Sequence, residues 1–379
     1  MPDRVAFVYH LRYPATVGGA ERFYDALARE LARSRPVTLI TRSFPGAPAP
    51  DGPVETVELC PARDDSRGFV ARNLPKVEFA VTLFWHLLRH GRRYGAVHVC
   101  CFPHVGVIAA CLGLMPHRRV LLLVDWHEVM PRARWRRRLG RMGDLGWLVQ
   151  RLAVGAGDVA VTFSRLHERR LRDEGRRGRV EVLPEFPPDP RVPDPVAARA
   201  ARERLIVFAG RLVAEKRAHL VPAVLAELRR EDPSWHAVIF GDGSERERVE
   251  RAAADAGGAE VMGFAPWEEI SAVMLRAAAL VFPTTREGFG LVVLEAAAHG
   301  LPVVLVREED NAAVELVEAG AEGRVCEEPD PVTMAAAVRD LAADPESPAR
   351  ARDWYERGAE RYSPEGVAER LVALHAGLR

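Results

Sequence analysis

Residues 280–304 read LVFPTTREGFGLVVLEAAAHGLPVV, and the reading of the whole chain turns on them. The apolar run 280–282 has strand character, segment 283–289 is a loop, and a helix begins near Gly290. Gly300 suits the C-terminal cap of that helix, and residues 301–304 are the next apolar strand. Two carboxylates, Glu287 and Glu295, would lie ~12 Å apart if the chain between them were wholly helical. A diphosphate with a sugar on each side has about that span. The helix start between them leaves the N–H groups of Gly290, Leu291 and Val292 unpaired, a natural cradle for phosphate. Carboxylates repel phosphate, so both glutamates are expected to face hydroxyls. Spacing alone favours a plainer reading, two solvated glutamates on an ordinary strand, loop and helix.

Composition bounds the class. A chain of 379 residues, 48% hydrophobic and 28% charged, has room for two globular domains with separate cores. No apolar run approaches the ~20 residues of a membrane span, and the opening MPDRVAFVYH lacks a signal-peptide pattern. Cys60, Cys100, Cys101, Cys111 and Cys326 are odd in number and lack CxxC spacing, which predicts reduced thiols in a cytoplasmic protein. The adjacent Cys100 and Cys101 read as small buried residues at a strand end. Net charge is zero but unevenly spread: residues 1–190 carry 30 basic and 20 acidic side chains, residues 191–379 carry 23 and 33. Opposite signs on the two halves suggest two domains with different partners. Lys76 and Lys216 are the only lysines, so each is worth inspecting.

Short apolar strands are expected over residues 5–9, 37–41, 97–101, 120–124, 159–163, 180–183, 205–209 and 237–240. Helical stretches lie between several of them, at 20–33, 74–90 and 219–230. Such alternation predicts parallel sheets covered on both faces. Residues 184–195, PEFPPDPRVPDP, hold six prolines and place the domain boundary.

Ligands of open α/β sheets bind beyond the carboxyl ends of strands, where several candidates fall. Gly18-Gly19 precede the first helix, and paired glycines let backbone approach a ligand. His127 follows the strand 120–124, with Asp125 and Glu128 beside it to orient it. Arg211 and Lys216 follow the strand 205–209, and Gly241-Asp242-Gly243-Ser244 form a turn after 237–240. Residues 132–141 carry six arginines interleaved with Trp135 and Leu139. That segment suits an anionic membrane surface or an anionic acceptor, and equally a solvated helix face. Nucleic acid fits poorly, because the overall charge is balanced and no binding motif is present.

Glu-Gly-Phe-Gly-Leu-Val at 287–292, Glu295-Ala296 and Gly300-x-Pro302-Val303-Val304 together resemble the retaining family 4 glycosyltransferases, with their Glu-x7-Glu signature. That resemblance implies the GT-B fold: two Rossmann-like parallel-sheet domains with a donor cleft between them and a C-terminal helix crossing back. Residues 1–190 would be the acceptor-side domain, 191–355 the nucleotide-sugar domain, and 356–379 the returning helix. It implies catalytic roles for Lys216, Arg211, Glu287 and His127. Donor contacts would come from Gly18, Gly19, Arg211, Lys216, Gly241, Gly263, Glu287, Phe289, Gly290, Leu291, Val292 and Glu295. Arg211 and Lys216 would grip the diphosphate, Glu287 and His127 the sugar hydroxyls, and Glu295 the ribose. The family often has Pro-Asn-Gly where this chain has Pro184-Glu185-Phe186, and a Gly-Gly pair near Asp310-Asn311.

The expected reaction moves a sugar from a nucleoside-diphosphate donor, UDP- or GDP-linked, to an acceptor hydroxyl on the same face of the ring. No cofactor is expected. No metal is expected either, since the chain has no Asp-x-Asp. The alternatives are a GT-B epimerase or hydrolase consuming the nucleotide sugar alone, and a non-catalytic nucleotide-sugar-binding protein. The excess of positive charge in the first domain favours an anionic or lipid-linked acceptor. Peripheral contact with the inner face of the membrane through residues 132–141 is a further expectation.

Overall fold

The computed structural model describes residues 3–16, 18–48, 52–62, 68–187 and 202–378. The chain divides into two compact units, Met1–Pro188 with Arg361–Arg379, and Asp189–Glu360. The boundary expected between residues 190 and 191 lies outside the described residues.

Unit 1 is built on a seven-stranded sheet of β1 (Val5–Val8), β2 (Val37–Ser43), β3 (Glu55–Pro61), β4 (Ala96–Cys100), β5 (Leu121–Trp126), β6 (Val159–Thr162) and β7 (Arg179–Val182). Their order is β3-β2-β1-β4-β5-β6-β7, every pairing parallel. Parallel strands need crossovers that cover both faces, so the central strands are mostly apolar, with His98 of β4 and Asp125 of β5 as exceptions. Val5, Ala6, Phe7 and Val8 of β1 are all buried. Helices Gly68–His90, His104–Leu114 and Gly143–Val154 send Phe79, Leu83, Leu87, Val107, Ala110 and Ala153 into one core cluster with Val97, Val124 and Trp126. Helix Pro364–Gly377 packs on helix Gly19–Leu31.

Unit 2 holds a six-stranded parallel sheet of β8 (Leu205–Ala209), β9 (His236–Phe240), β10 (Ala259–Gly263), β11 (Ala279–Phe282), β13 (Val303–Val306) and β15 (Gly323–Cys326), ordered β10-β9-β8-β11-β13-β15. A separate two-stranded ribbon pairs β12 (Arg286–Glu287) with β14 (Asp310–Asn311).

Several expectations shift. β3 is absent from the sequence reading because its alternating Glu-Thr-Val-Glu-Leu is the signature of a half-exposed edge strand. The strand expected over 301–304 is Val303–Val306, since Leu301 and Pro302 complete the turn after the helix. Asp125 and Trp126 belong to β5 itself, so only His127 and Glu128 lie beyond it. The span from Glu287 to Glu295 is not helical throughout, so the ~12 Å figure, which assumed a continuous helix, does not apply. Glu287 sits in β12 and only Leu291–Ala298 is helix.

Candidate functional site

In unit 2 the loops after β8, β9 and β10 are laced together by backbone. Gly210 N–H donates to Phe240 O at 3.1 Å, Leu212 N–H to Asp242 O at 2.9 Å, and Gly241 N–H to Gly263 O at 2.7 Å. Gly241 has φ of 134°, and a Cβ there would meet the Gly210 carbonyl oxygen. Only glycine fits, which explains the Gly-Asp-Gly turn.

Lys216 ends a single 3-10 turn, Ala214–Lys216, and its side chain is fixed from two directions. Its ammonium pairs with the Glu287 carboxylate and sits 4.8 Å from the centre of the Phe282 ring. The loop before Glu287 is stitched to this turn through one carbonyl. Glu215 O accepts from Thr285 N–H at 2.8 Å and from the hydroxyls of Thr284 and Thr285 at 3.2 and 3.1 Å. Arg286 adds a bond of 2.7 Å to the Glu215 carboxylate. On the far side Ala312 N–H donates to Glu287 O at 3.0 Å, and Asn311 Nδ2 donates to Val306 O at 2.9 Å. Asp310-Asn311, where a glycine pair is common in the family, is therefore the brace behind Glu287.

Gly290 caps helix Leu291–Ala298 with φ of 106°, and a Cβ there would lie 2.6 Å from Ala313 Cβ. The first-turn N–H groups of Leu291 and Val292 have no carbonyl four residues back within the helix. Phe289 is buried beneath this turn, Glu295 is half-buried on the helix, and Arg211 is exposed. At the other end His299 Nδ1–H donates to Glu295 O at 2.6 Å, and Ser271 Oγ lies 2.7 Å from His299 Nε2.

In unit 1 Gly18 has extended backbone ahead of helix Gly19–Leu31, whose second turn brings Phe23 and Tyr24 to His127. His127 stacks on Phe163, with ring centres 4.5 Å apart. Its Nδ1 bonds Glu185 Oε1 at 3.0 Å, and its Nε2 lies 3.4 Å from the Tyr24 hydroxyl. Tyr24 donates to Asp125 Oδ2 at 3.0 Å, and His98 Nδ1 donates to Asp125 Oδ1 at 3.0 Å. His98 Nε2 in turn lies 2.9 Å from His375 Nε2, on the last helix. Burial opposes a charge on His127, but the hydrogen bond and charge of Glu185, with Cys101 and Asp125, outweigh it and raise its pKa above 6.5. Since the Tyr24 proton is committed to Asp125, the Tyr24 oxygen is free to accept from His127 Nε2 when that nitrogen carries a proton.

The expected residues thus fall into two sets. Gly18, Gly19 and His127 are in unit 1; Arg211, Lys216, Gly241, Gly263, Glu287, Phe289, Gly290, Leu291, Val292 and Glu295 are in unit 2. Asp125 does not touch His127 directly, as had been expected of it, but holds Tyr24 and His98. Glu128 bonds elsewhere, with Arg134 at 3.5 Å. Sequence reading missed Tyr24, His98, Glu185 and His375. Of these only Glu185 left a trace, as the departure from Pro-Asn-Gly.

"Glycosyltransferase Family 4" matches residues 17–186, and "Glycosyl transferases group 1" matches residues 194–361. A GDP-mannose-dependent alpha-(1-6)-phosphatidylinositol monomannoside mannosyltransferase of Mycolicibacterium smegmatis is 30% identical, over 88% of each chain. The chain belongs to the family 4 glycosyltransferases. It is a glycosyltransferase of GT-B fold, a type that uses nucleotide-sugar donors. A glycogen synthase of Mycobacterium tuberculosis is 36% identical over 40% of this chain and 37% of its own. Among solved structures, a sucrose-phosphate synthase from Thermosynechococcus elongatus superposes with a TM-score of 0.75 at 19% identity, covering 99% of both chains. The Anabaena protein HepE, in complex with UDP and glucose, gives 0.71 at 17% identity over 98% and 99%. These last two likenesses bear on the fold.

Proposed function

We propose that this family 4 glycosyltransferase retains the configuration of the transferred sugar and works without a metal ion. The observation that carries the reading is the Lys216–Glu287 pair, held beside the start of helix Leu291–Ala298 by the Glu215 carbonyl network. A cation, a carboxylate and outward N–H groups on one loop cluster suit a diphosphate next to a polyhydroxyl ring. Lys216 and Arg211 meet the charge that builds on the departing diphosphate, assisted by the N–H groups of Gly290, Leu291 and Val292. Glu287 holds sugar hydroxyls, Glu295 the ribose, and His127 a further sugar hydroxyl. Gly18, Gly19, Gly241, Gly263 and Phe289 supply close backbone and packing contacts. The acceptor hydroxyl enters on the face the phosphate leaves and passes its proton to that phosphate. No protein nucleophile takes part.

The donor is UDP- or GDP-linked. The relative matched over 88% of this chain is named for GDP-mannose and for phosphatidylinositol monomannoside, which supports a GDP-linked sugar and a lipid-linked, anionic acceptor here. Residues 1–190 serve the acceptor, 191–355 the donor, and 356–379 return to the first domain. The protein works in the cytoplasm at the inner face of the membrane, with residues 132–141 contributing charge. The test is a panel of nucleotide sugars, followed by slow hydrolysis and by transfer to a mannosylated phosphoinositide, with the anomeric configuration of the product read by NMR. Retention with chelator present is the expected result. Inversion, or full-speed consumption of donor without acceptor, would overturn it.

A further inference from the structure

Three neighbouring helices of unit 1 cover one core and turn apolar side chains outward. On Gly68–His90 the exposed residues Leu74, Val77, Val81 and Trp85 fall at helical spacings of three and four, a single stripe. On Gly143–Val154 the exposed leucines Leu145, Leu148 and Leu152 repeat that spacing. Helix His104–Leu114 packs against both, and its sequence, HVGVIAACLGL, has no Asp, Glu, Lys or Arg. Its outer residues include Leu112, and Met115 follows it. These exposures run from 47% at Trp85 to 64% at Met115. An apolar face three helices wide is more than scattered surface leucines.

Charge identifies the occupant. Residues 68–154 carry fourteen basic side chains against four acidic ones. Three of these acids are already engaged: Asp125 is buried with Tyr24 and His98, Glu128 pairs with Arg134 at 3.5 Å, and Asp144 is held by Arg132 and Arg136 at 2.7 and 2.8 Å. Arg118, Arg119, Arg137, Arg138 and Arg141 are exposed. Arg89 lies 4.8 Å over the Trp85 ring, and Arg132 lies 4.6 Å over Trp147, the aromatic and cation pairing suited to a headgroup layer. In residues 132–141 themselves Trp135 is buried, so that segment offers charge without an apolar anchor. A second copy of the same face would bring arginine against arginine. Nucleic acid would leave the uncharged middle helix without a partner.

We propose that this three-helix face docks on an anionic lipid bilayer, its leucines, Val81 and Trp85 entering the headgroup boundary and the arginines meeting lipid phosphate. No described helix is long and apolar enough to cross a membrane, so the contact is peripheral. It rests on the reading that sets the protein at the inner face of the membrane and is independent of the donor chemistry.

Flotation of the full chain with vesicles tests it, using phosphatidylcholine alone and phosphatidylcholine with about one-third phosphatidylglycerol. Binding is expected to the anionic vesicles, to weaken with salt, and to fall at least about tenfold in the Leu148→Glu, Leu152→Glu double variant. Arg137→Glu with Arg138→Glu and Arg141→Glu should weaken binding and flatten its salt dependence. Circular dichroism and soluble-donor hydrolysis should match the parent, which separates this proposal from the catalytic one. Absence of flotation, or full binding by the leucine variant, would overturn the idea. So would a dimer in sedimentation that the leucine variant dissociates, since the face would then be covered by a second copy.

Discussion

His127 Nδ1 bonds Glu185 Oε1 at 3.0 Å, although 58 residues separate them in the chain. The carboxylate holds the proton on Nδ1 and, by raising the pKa of the ring, favours the charged form, whose Nε2–H faces the Tyr24 oxygen. Glu185→Gln keeps a hydrogen-bond acceptor and removes the charge. Its expected effect is to move the alkaline limb of the kcat/KM profile to lower pH, with roughly a tenfold loss near neutral pH, as for a charge-assisted bond of about 1.5 kcal/mol. An unchanged profile would mean that His127 does not act as a charged donor. The same pair contributes to stability: because its folded pKa is raised, that contribution is complete below pH 6.5 and is lost as pH rises through the folded value.

Lys216 and Glu287 neutralise each other in this state, and neither is more than a quarter exposed. Lys216→Ala should lower turnover by about a hundredfold or more, the scale of losing one preorganised charge at a developing anion. Glu287→Ala should do likewise through the sugar hydroxyls. Both chains should give normal circular dichroism spectra, since the Glu215 carbonyl network survives in each. Near-parental turnover in either would remove that residue from the reaction.

Gly290→Ala meets two penalties, a φ of 106° and a methyl 2.6 Å from Ala313 Cβ. Gly46→Ala meets only the first, since Gly46 has φ of 82° and open space around it. Urea unfolding should therefore show a loss of about 1–3 kcal/mol for Gly290→Ala. Gly46→Ala should cost about 1 kcal/mol. Only the Gly290 variant should lose affinity for nucleoside diphosphate in calorimetry. Equal losses of affinity would detach the helix start from the donor.

His299 is buried, and burial, aided by Arg202 and Arg352, lowers its pKa to about 4 despite the bond to Glu295 O. With a folded pKa below the unfolded 6.5, its contribution to stability is complete above pH 6.5 and declines as pH falls toward 4. The expected slope is about 1.4 kcal/mol per pH unit. His299→Gln should remove that share of the slope between pH 6.5 and 4, measured by denaturant unfolding. His10, lowered to about 3, and His86 and His104, each lowered to about 4, all chiefly by burial, keep their own shares of it. An identical slope in the variant would show that His299 already titrates freely.

Fold class was legible because the buried parallel strands are short, mostly apolar runs such as Val-Ala-Phe-Val and Leu-Ile-Val-Phe-Ala, alternating with helical stretches. In unit 2 the glycine turns and the strand-loop-helix unit were legible because their geometry is local. Gly241 and Gly290 need positive φ, and the strand, loop and helix of residues 279–298 are contiguous. The network around His127 was not legible, since Tyr24, His98, Asp125, Glu185 and His375 come from separate elements and meet only once the sheet is assembled. The apolar outer face was hidden for a related reason. A stripe such as Leu145, Leu148 and Leu152 has the same periodicity whether it points to the core or away from it.

The scarcity of lysine gives this enzyme a built-in chemical reporter. Lys216 is packed against Phe282 and Glu287, while Lys76 sits on the helix of the other unit near Phe102. Amine acylation followed by mass spectrometry therefore has two lysines to tell apart, one at the centre proposed for donor binding and one in the other unit. Occupancy of that centre becomes readable without a label, as shielding of the first lysine relative to the second.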